Sequence, residues 1–400
     1  MTKVAILGMG TVGEGVYTAI KRSAARGSGL ELKYALDVRD FPGAEFEKLV
    51  VHDFSIIEQD DEVRIVAETI GGVRAAYEFT RRALAAGKSV VTSNKELVAT
   101  HGAELLRLAG ENGVNYMFEA AVGGGIPLIR PICQCLHANV ISEICGILNG
   151  TTNFILDRMI SGGVPFDRAL AEAQALGYAE LDPTDDIEGK DALRKICILA
   201  SIAFERHIYP EFAQAEGISG ITLEDVAAAA SCGYAIKLLG RYVLTDDRHC
   251  CVYVAPHLVG SGDIVAHTNG VFNCVRVRGD IAGDVAFYGR GAGGLATASA
   301  VVADLEDCVR FGGKTKHPSL WEDGDADCLS STDRLVTRWF VRADRLPDTT
   351  SNGETVFGDI QKIGDGVFIT EPMRSDAFKS ALGVFSGEAQ VFSAIRILPE

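Results

Sequence analysis

The sequence predicts an α/β protein, and three observations carry that prediction. Apolar runs of strand length alternate with helical segments from Lys3 to about residue 118. The first run ends in a glycine pattern that opens a helix. From Val140 the pattern changes, to longer strand-like runs and one dense acidic stretch. Strict βαβα alternation implies a parallel sheet with right-handed crossovers and ligand sites at the carboxyl ends of its strands. The break at Val140 opens a second domain, also α/β.

Composition narrows the partners. The 400 residues are 47% hydrophobic and 23% charged, the balance of a globular chain with a core. A formal net charge of −16 argues against nucleic acid and anionic membranes and for a small-molecule partner. The N-terminus runs directly into a strand, and no apolar stretch approaches membrane-spanning length, so a cytoplasmic protein is expected. Ten cysteines without a Cys-x-x-Cys pattern read as reduced, mostly buried thiols. His207, His249, His257 and His267 stand at no metal-ligand spacing.

The first strand, Lys3 to Leu7, enters Gly8-Met-Gly10-Thr-Val-Gly13, and Glu14 to Ala25 has helical spacing. In that context the first glycine permits the turn, the second admits a pyrophosphate to a helix N-terminus, and the third allows close packing. This is a Rossmann-type dinucleotide fingerprint. The second strand, Leu30 to Leu36, ends at Asp37 and Arg39, where the adenosine ribose is met. Asp37 suits the hydroxyls of NAD and Arg39 the 2′-phosphate of NADP; the acid at the strand end tips the balance to NAD. Val63 to Gly72 is a further strand with a glycine pair, and a helix from Val73 to Ala86 leads to Ser89-Val-Val-Thr-Ser93-Asn94-Lys95. Asn94 and Lys95 therefore fall at a strand end. Asn115 to Pro127 runs into three glycines, where Glu119 and backbone oxygens suit either a monovalent cation or a tight hinge.

After Val140, the strand at Ile141 ends in Asn149-Gly150-Thr151-Thr152-Asn153. Residues 176–195 then hold six carboxylates ahead of an apolar helix. Pro183 and Gly189 interrupt any single helix there, so Glu180, Asp182, Asp185, Asp186 and Glu188 are expected on a loop that can surround a substrate ammonium. Asp191 and Lys195 stand i,i+4 on the following helix; by spacing alone this is either an oriented ammonium or a surface ion pair worth roughly 0.2–0.5 kcal/mol.

Gly8-x-Gly-x-Val-Gly13, Ser93-Asn-Lys95, Glu119 to Pro127, Gly146 to Asn153 and Leu176 to Pro183 together resemble homoserine dehydrogenase, in order, over residues 1 to about 310. The resemblance implies NAD(P)-dependent interconversion of L-aspartate 4-semialdehyde and L-homoserine. It implies Lys195 as proton donor, with Asp191 and Lys95 in the catalytic set. Glu180, Asp191, Gly150, Thr151 and Asp186 become the expected substrate contacts. Gly8, Met9, Gly10, Thr11, Val12, Gly13, Asp37, Arg39, Ile70, Ser93, Lys95, Gly177 and Gly291 become the expected cofactor contacts. Glu119, Val122, Gly124 and Ile126 match the family's sodium site, so a sodium or potassium ion is a further expectation. A homo-oligomer, dimer or tetramer, is implied as well, paired through an open sheet.

Domain boundaries follow. Residues 1–139, completed by 291–311, form the nucleotide domain, and 140–290 the substrate and dimerisation domain. Residues 312–330 read as a linker, and 331–400 as a shortened ACT-like module lacking the Pro-Gly segment of a full copy. With few apolar residues in the linker, this tail is expected to be dispensable for chemistry. Two rivals remain from the sequence: reduction of another amino-acid semialdehyde, and cofactor sensing without catalysis. Lys95, Asp191 and Lys195 speak against the second.

Overall fold

Val4, Ala5, Ile6 and Leu7 are fully buried, the signature of a strand covered on both faces, and they form most of β1 (Thr2–Leu7). The structure is a computed structural model that describes residues 1–311, 320–349 and 354–399. After β1 come α1 (Thr11–Ala24), β2 (Leu30–Leu36), β3 (Val50–Val51), α2 (Ser55–Glu58), β4 (Val63–Glu68), α3 (Arg74–Ala85), β5 (Ser89–Thr92), α4 (Lys95–Glu111), β6 (Tyr116–Met117) and α5 (Ile129–Gln134). Then follow β7 (Ile141–Ile147), α6 (Gly150–Gly162), α7 (Phe166–Ala175), α8 (Thr184–Ile187), α9 (Lys190–Phe204), β8 (Gln214–Ala215), α10 (Leu223–Ser231), β9 (Tyr234–Asp246), β10 (His249–Gly260), β11 (Phe272–Gly279), β12 (Gly283–Arg290) and α11 (Gly294–Phe311). The described tail holds β13 (Val336–Thr337), β14 (Trp339–Ala343), β15 (Ile360–Gly364), β16 (Val367–Thr370), β17 (Met373–Arg374), α12 (Ser375–Ser386) and β18 (Val391–Ile397).

Two compact units result. The first contains Met1–Ile141, Cys197–Phe212 and Gly279–Ala326; the second contains Ser142–Ile196, Ala213–Arg278 and Asp327–Glu400. In the first, a parallel sheet runs β3-β2-β1-β4-β5-β6. Strand order reverses beside β1, so the carboxyl ends of β1, β2 and β4 open a crevice at that switch point. α11 lies in this unit against α1: a Cβ on Gly15 would stand 3.0 Å from Gly294 O and 3.1 Å from Ala298 Cβ, so the glycine lets the two helices pack closely. Val301 and Leu305 of α11 join Val4, Ile6 and Ile65 in one core cluster. His207 is structural. Its Nδ1 accepts from the Ala103 amide at 3.1 Å and its Nε2 faces the Ala99 carbonyl at 2.8 Å, which calls for the neutral ring protonated at Nε2.

The second unit is built on a sheet that runs β11-β7-β9-β10-β18-β14-β16-β15. β9 and β10 form its long antiparallel centre, with Tyr253 opposite Arg241. The tail departs from the sequence expectation here. β18 lies between β10 and β14, parallel to β10 through His257–Arg396 and Leu258–Ile397, and antiparallel to β14. Leu398 packs with Cys145, Ile147, Leu239 and Val259. The remaining edge of β10 is covered by β8 at Tyr253–Val254 and by Ser330, whose amide donates to Cys250 O at 2.8 Å. Arg342 of β14 donates to buried Asp225 of α10 at 2.7 Å, and Ser393 of β18 bonds the same carboxylate. The tail is therefore part of the substrate unit rather than a separate module; the sequence misled because its apolar anchors lie at the far end, around Ile395 to Leu398. Of the expected linker, residues 312–319 lie outside the described residues, while Trp321 and Cys328 are buried. α12 is the one α-helix among the described tail residues, which leaves the ACT-like order incomplete.

Truncation at Gly313 should then abolish soluble, cooperatively folding protein, because it uncovers the edge of β10. Thermal unfolding followed by circular dichroism checks this; a truncated chain melting within a few degrees of full length would restore the dispensable tail.

Candidate active site

The substrate unit brings four polar side chains together where β7 gives way to α6. Asn149 caps α6, its Oδ1 accepting the Thr152 amide at 2.9 Å, and its Nδ2 donates to Asp186 Oδ1 at 2.7 Å and Asp191 Oδ2 at 2.9 Å. Lys195 Nζ donates to the same Asp191 Oδ2 at 2.6 Å and to the Leu148 carbonyl at 2.9 Å. The side chains of Lys195 and Asp191 are only 11% and 5% exposed, which excludes the surface ion pair that the i,i+4 spacing also permitted. With two of three ammonium protons engaged, the third remains to be given to a ligand oxygen.

Other expected substrate contacts fall around this cluster unevenly. Thr151 donates to the Tyr178 carbonyl at 2.6 Å and so ties α6 to the segment after α7. Gly150 opens α6, and a Cβ there would stand 2.8 Å from Val271 O, so close packing alone demands glycine. Glu180 is exposed, and the bond recorded for it goes from Gln174 to its carbonyl; the structure does not join its carboxylate to the Asp186–Asn149–Asp191–Lys195 cluster. The acidic stretch is not one loop, since Thr184–Ile187 forms α8 and Asp185 pairs outward with Arg194 at 2.6 Å. Gly177 closes α7 in the left-handed region at φ +73°, a helix-end role that accounts for its glycine.

The nucleotide unit gathers its candidates at the strand ends. Gly8 has φ +89°, and a Cβ on Gly13 would lie 2.0 Å from Gly8 O, whereas Gly10 faces open space. No side chain caps α1, so its first amides, from Thr11 and Val12 onward, are left for an anion. A dinucleotide pyrophosphate fits this loop. The Met9 amide donates to Asp37 Oδ2 at 2.8 Å, and Arg39 folds back on Asp37 through its amide, Nε and Nη2, each at 3.0 Å. Arg39 Nη2 also donates to Met9 O, and its guanidinium lies over the Phe41 ring. Hydrogen bonding from Arg39 is the main reason that the Asp37 carboxyl is held down to about 2. The two residues between which the sequence reading divided the cofactors are thus paired with each other. Because the folded value lies below the ordinary 3.8, the pair's contribution to stability is complete above about pH 4 and is lost as pH falls through about 2.

Ile70 and Ser93 follow β4 and β5, and Lys95 is the first residue of α4, which Asn94 caps by accepting the Leu97 amide at 3.0 Å. Gly291 packs on the three-glycine turn: a Cβ on Gly124 would be 2.7 Å from its carbonyl. Glu119 is buried, and its carboxylate takes the amides of Leu128, Ile129 and Arg130 at 2.6, 3.0 and 2.7 Å, capping α5. Its carboxylate oxygens are used by the fold. Among the described residues, no group of three His, Cys, Asp or Glu side chains is placed to hold a metal.

Sequence reasoning missed Asn149 as a site residue. Its signal was its place: a side chain that both caps and donates, between a buried strand and a helix.

The family model for homoserine dehydrogenase matches residues 127–305, and the model for the homoserine dehydrogenase NAD binding domain matches residues 8–119. The homoserine dehydrogenase of Synechocystis sp. is 37% identical across 99% of both chains. The chain belongs to the homoserine dehydrogenase family. A homoserine dehydrogenase structure from Thiobacillus denitrificans superposes with a TM-score of 0.89 at 35% identity, covering 99% of this chain and 98% of that one. A hyperthermophilic archaeal homoserine dehydrogenase in complex with NADPH superposes at 0.64 with 27% identity, over 77% of this chain and 98% of that one. The family identifies the chain as a nicotinamide-dependent oxidoreductase. Among the described residues, no helix is long and apolar enough to cross a membrane.

Replacing Asn149 by serine keeps a cap for α6 and removes the amide that joins Asp186 to Asp191. The account predicts a fall in kcat of about 10–100-fold, the worth of a charge-assisted hydrogen bond, with unchanged cofactor affinity. Steady-state kinetics beside a cofactor titration measure both; an unaltered kcat would show that the bridge does not order Asp191.

Proposed function

We propose that the chain interconverts L-aspartate 4-semialdehyde and L-homoserine with Lys195 as the proton donor and acceptor. The observation that carries this reading is the buried Asp191–Lys195 pair with Asn149 and the Leu148 carbonyl fixed around it. A nicotinamide dinucleotide held by the loop from Gly8 to Gly13 would supply the hydride chemistry at the aldehyde carbon. Hydride addition leaves an alkoxide, and the third N–H of Lys195 gives it a proton, a contribution of roughly 10²–10⁴-fold. Asp191 keeps the ammonium aimed. Asp186 and, by its reach from the exposed segment, Glu180 receive the substrate ammonium. Lys95, at the head of α4, belongs to the catalytic set that the family likeness implies.

Asp37 stays ionised throughout the neutral range, and its charge opposes a 2′-phosphate. This supports NAD as the preferred cofactor. The NADPH complex of the archaeal relative supports the competing choice, with Arg39 released from Asp37 to meet the phosphate. A monovalent cation, implied by the family likeness, would be held by the carbonyls of Glu119, Val122, Gly124 and Ile126, and neither the hydride nor the proton passes through it. The same likeness implies a homo-oligomer, which light scattering reads directly.

The test is nicotinamide absorbance with homoserine beside a panel of amino alcohols and hydroxy acids. Homoserine should be preferred over analogues lacking the amino group. Glu180→Ala should raise KM for homoserine by about 10–100-fold through loss of a charge-assisted contact, with a smaller change in kcat. An unchanged KM would return Glu180 to the solvent-exposed loop. Asp37→Ser should improve kcat/KM for NADP relative to NAD; a wild type that already favours NADP would assign the ribose to Arg39.

A further inference from the structure

Glu68 is the last residue of β4, is fully buried, and has no part in the mechanism above. A strand needs no carboxylate there: its neighbours across the sheet are Leu7 of β1 and Thr92 of β5, and an apolar residue would pack with less desolvation cost. Its oxygens have fixed partners instead. Oε1 accepts the Ile70 amide at 2.6 Å, and Oε2 accepts the Thr92 hydroxyl at 2.5 Å. Thr92 Oγ1 in turn accepts the Asn94 amide at 2.9 Å, and Asn94 Nδ2 donates to the carbonyls of Ile70 at 3.2 Å and Gly72 at 2.7 Å. The bonds close a ring from Glu68 to Ile70, Asn94, Thr92 and back. That ring joins the loop after β4 to the first turn of α4, where Asn94 is the cap and Lys95 the first residue. It also abuts the glycine loop, since Thr69 Oγ1 donates to Gly8 O at 2.7 Å.

We propose that Glu68 is a positioning residue for the nicotinamide cofactor and for Lys95, acting through Ile70 directly and through Thr92 and Asn94 on the start of α4. The proposal rests on the reading in which Ile70, Ser93 and Lys95 meet the cofactor. Burial pushes the Glu68 carboxyl up to about 7, and the unpartnered, buried hydroxyl of Tyr116 lies near enough to feel its charge. Buried carboxylates at strand ends that open on a ligand crevice are characteristic of organised sites.

Three variants separate positioning from bulk stability. Thr92→Val keeps the shape and removes the hydroxyl; Glu68→Gln keeps the shape and removes the charge; Thr92→Ser restores the hydroxyl. Cofactor dissociation constants come from fluorescence titration without homoserine, so a wild type inactive on homoserine would overturn the assigned reaction and leave this comparison readable. Thr92→Val and Glu68→Gln are expected to weaken cofactor binding and lower kcat by about tenfold each, the scale of one buried hydrogen bond. Homoserine KM and the melting temperature should stay near wild type, and Thr92→Ser should behave like wild type. Unchanged cofactor affinity and kcat in both variants would overturn the proposal, as would a loss of affinity in Thr92→Ser equal to that in Thr92→Val.

Discussion

An ammonium and a carboxylate 2.6 Å apart and almost out of water set the terms for the substrate unit. Desolvating both charges costs several kcal/mol per ion unless good geometry and further hydrogen bonds compensate. The compensation here comes from a different element: the end of β7 delivers the Leu148 carbonyl to Lys195 and the Asn149 amide to Asp191. α9 therefore cannot slide or rotate against β7 without leaving a buried charge unanswered. The absent Cβ of Gly240 brings β9 to within contact of Leu148 and Ile196, which holds strand end and helix together from the other side. A lysine so constrained has little rotamer freedom left to lose when the reaction proceeds.

The nucleotide unit was legible because its signals are local. Each strand is a continuous apolar run, each turn requires a glycine at a stated place, and the observed β2, Leu30–Leu36, coincides with the predicted strand. Asp191 and Lys195 were legible for the same reason, being one helical turn apart. What their spacing could not reveal was burial, which decides between an inert surface pair and a poised ammonium. Asn149 was visible as a residue and hidden as a function, since its two carboxylate partners lie 37 and 42 positions further on. Glu119 suits either a monovalent cation or a hinge by sequence, and nothing in its neighbourhood announces that the amides of Leu128, Ile129 and Arg130 converge on its carboxylate.

The tail shows the same limit on a larger scale. A strand pairing between Leu258 and Ile397 spans most of the second half of the chain, and no periodicity within either segment encodes it. Gly217 illustrates how such pairings reach the site: a Cβ there would stand 2.4 Å from Ile187 O, so the strand-edge segment packs directly on the end of α8, just before α9. Arg396 of β18 bonds the adjacent Glu216 at 2.8 Å and lies over the Trp339 ring, which ties the C-terminal strand to the segment after β8.

The claim on which the rest turns is that the Lys195 ammonium delivers the proton to the alkoxide. Chemical rescue tests it most directly: aspartate semialdehyde reduction by Lys195→Ala, with and without small primary amines in the medium, beside a cofactor titration. The account predicts a loss of roughly 10²–10⁴-fold in kcat, unchanged cofactor affinity, and partial recovery that grows with amine concentration. Wild-type turnover in Lys195→Ala without added amine would contradict it.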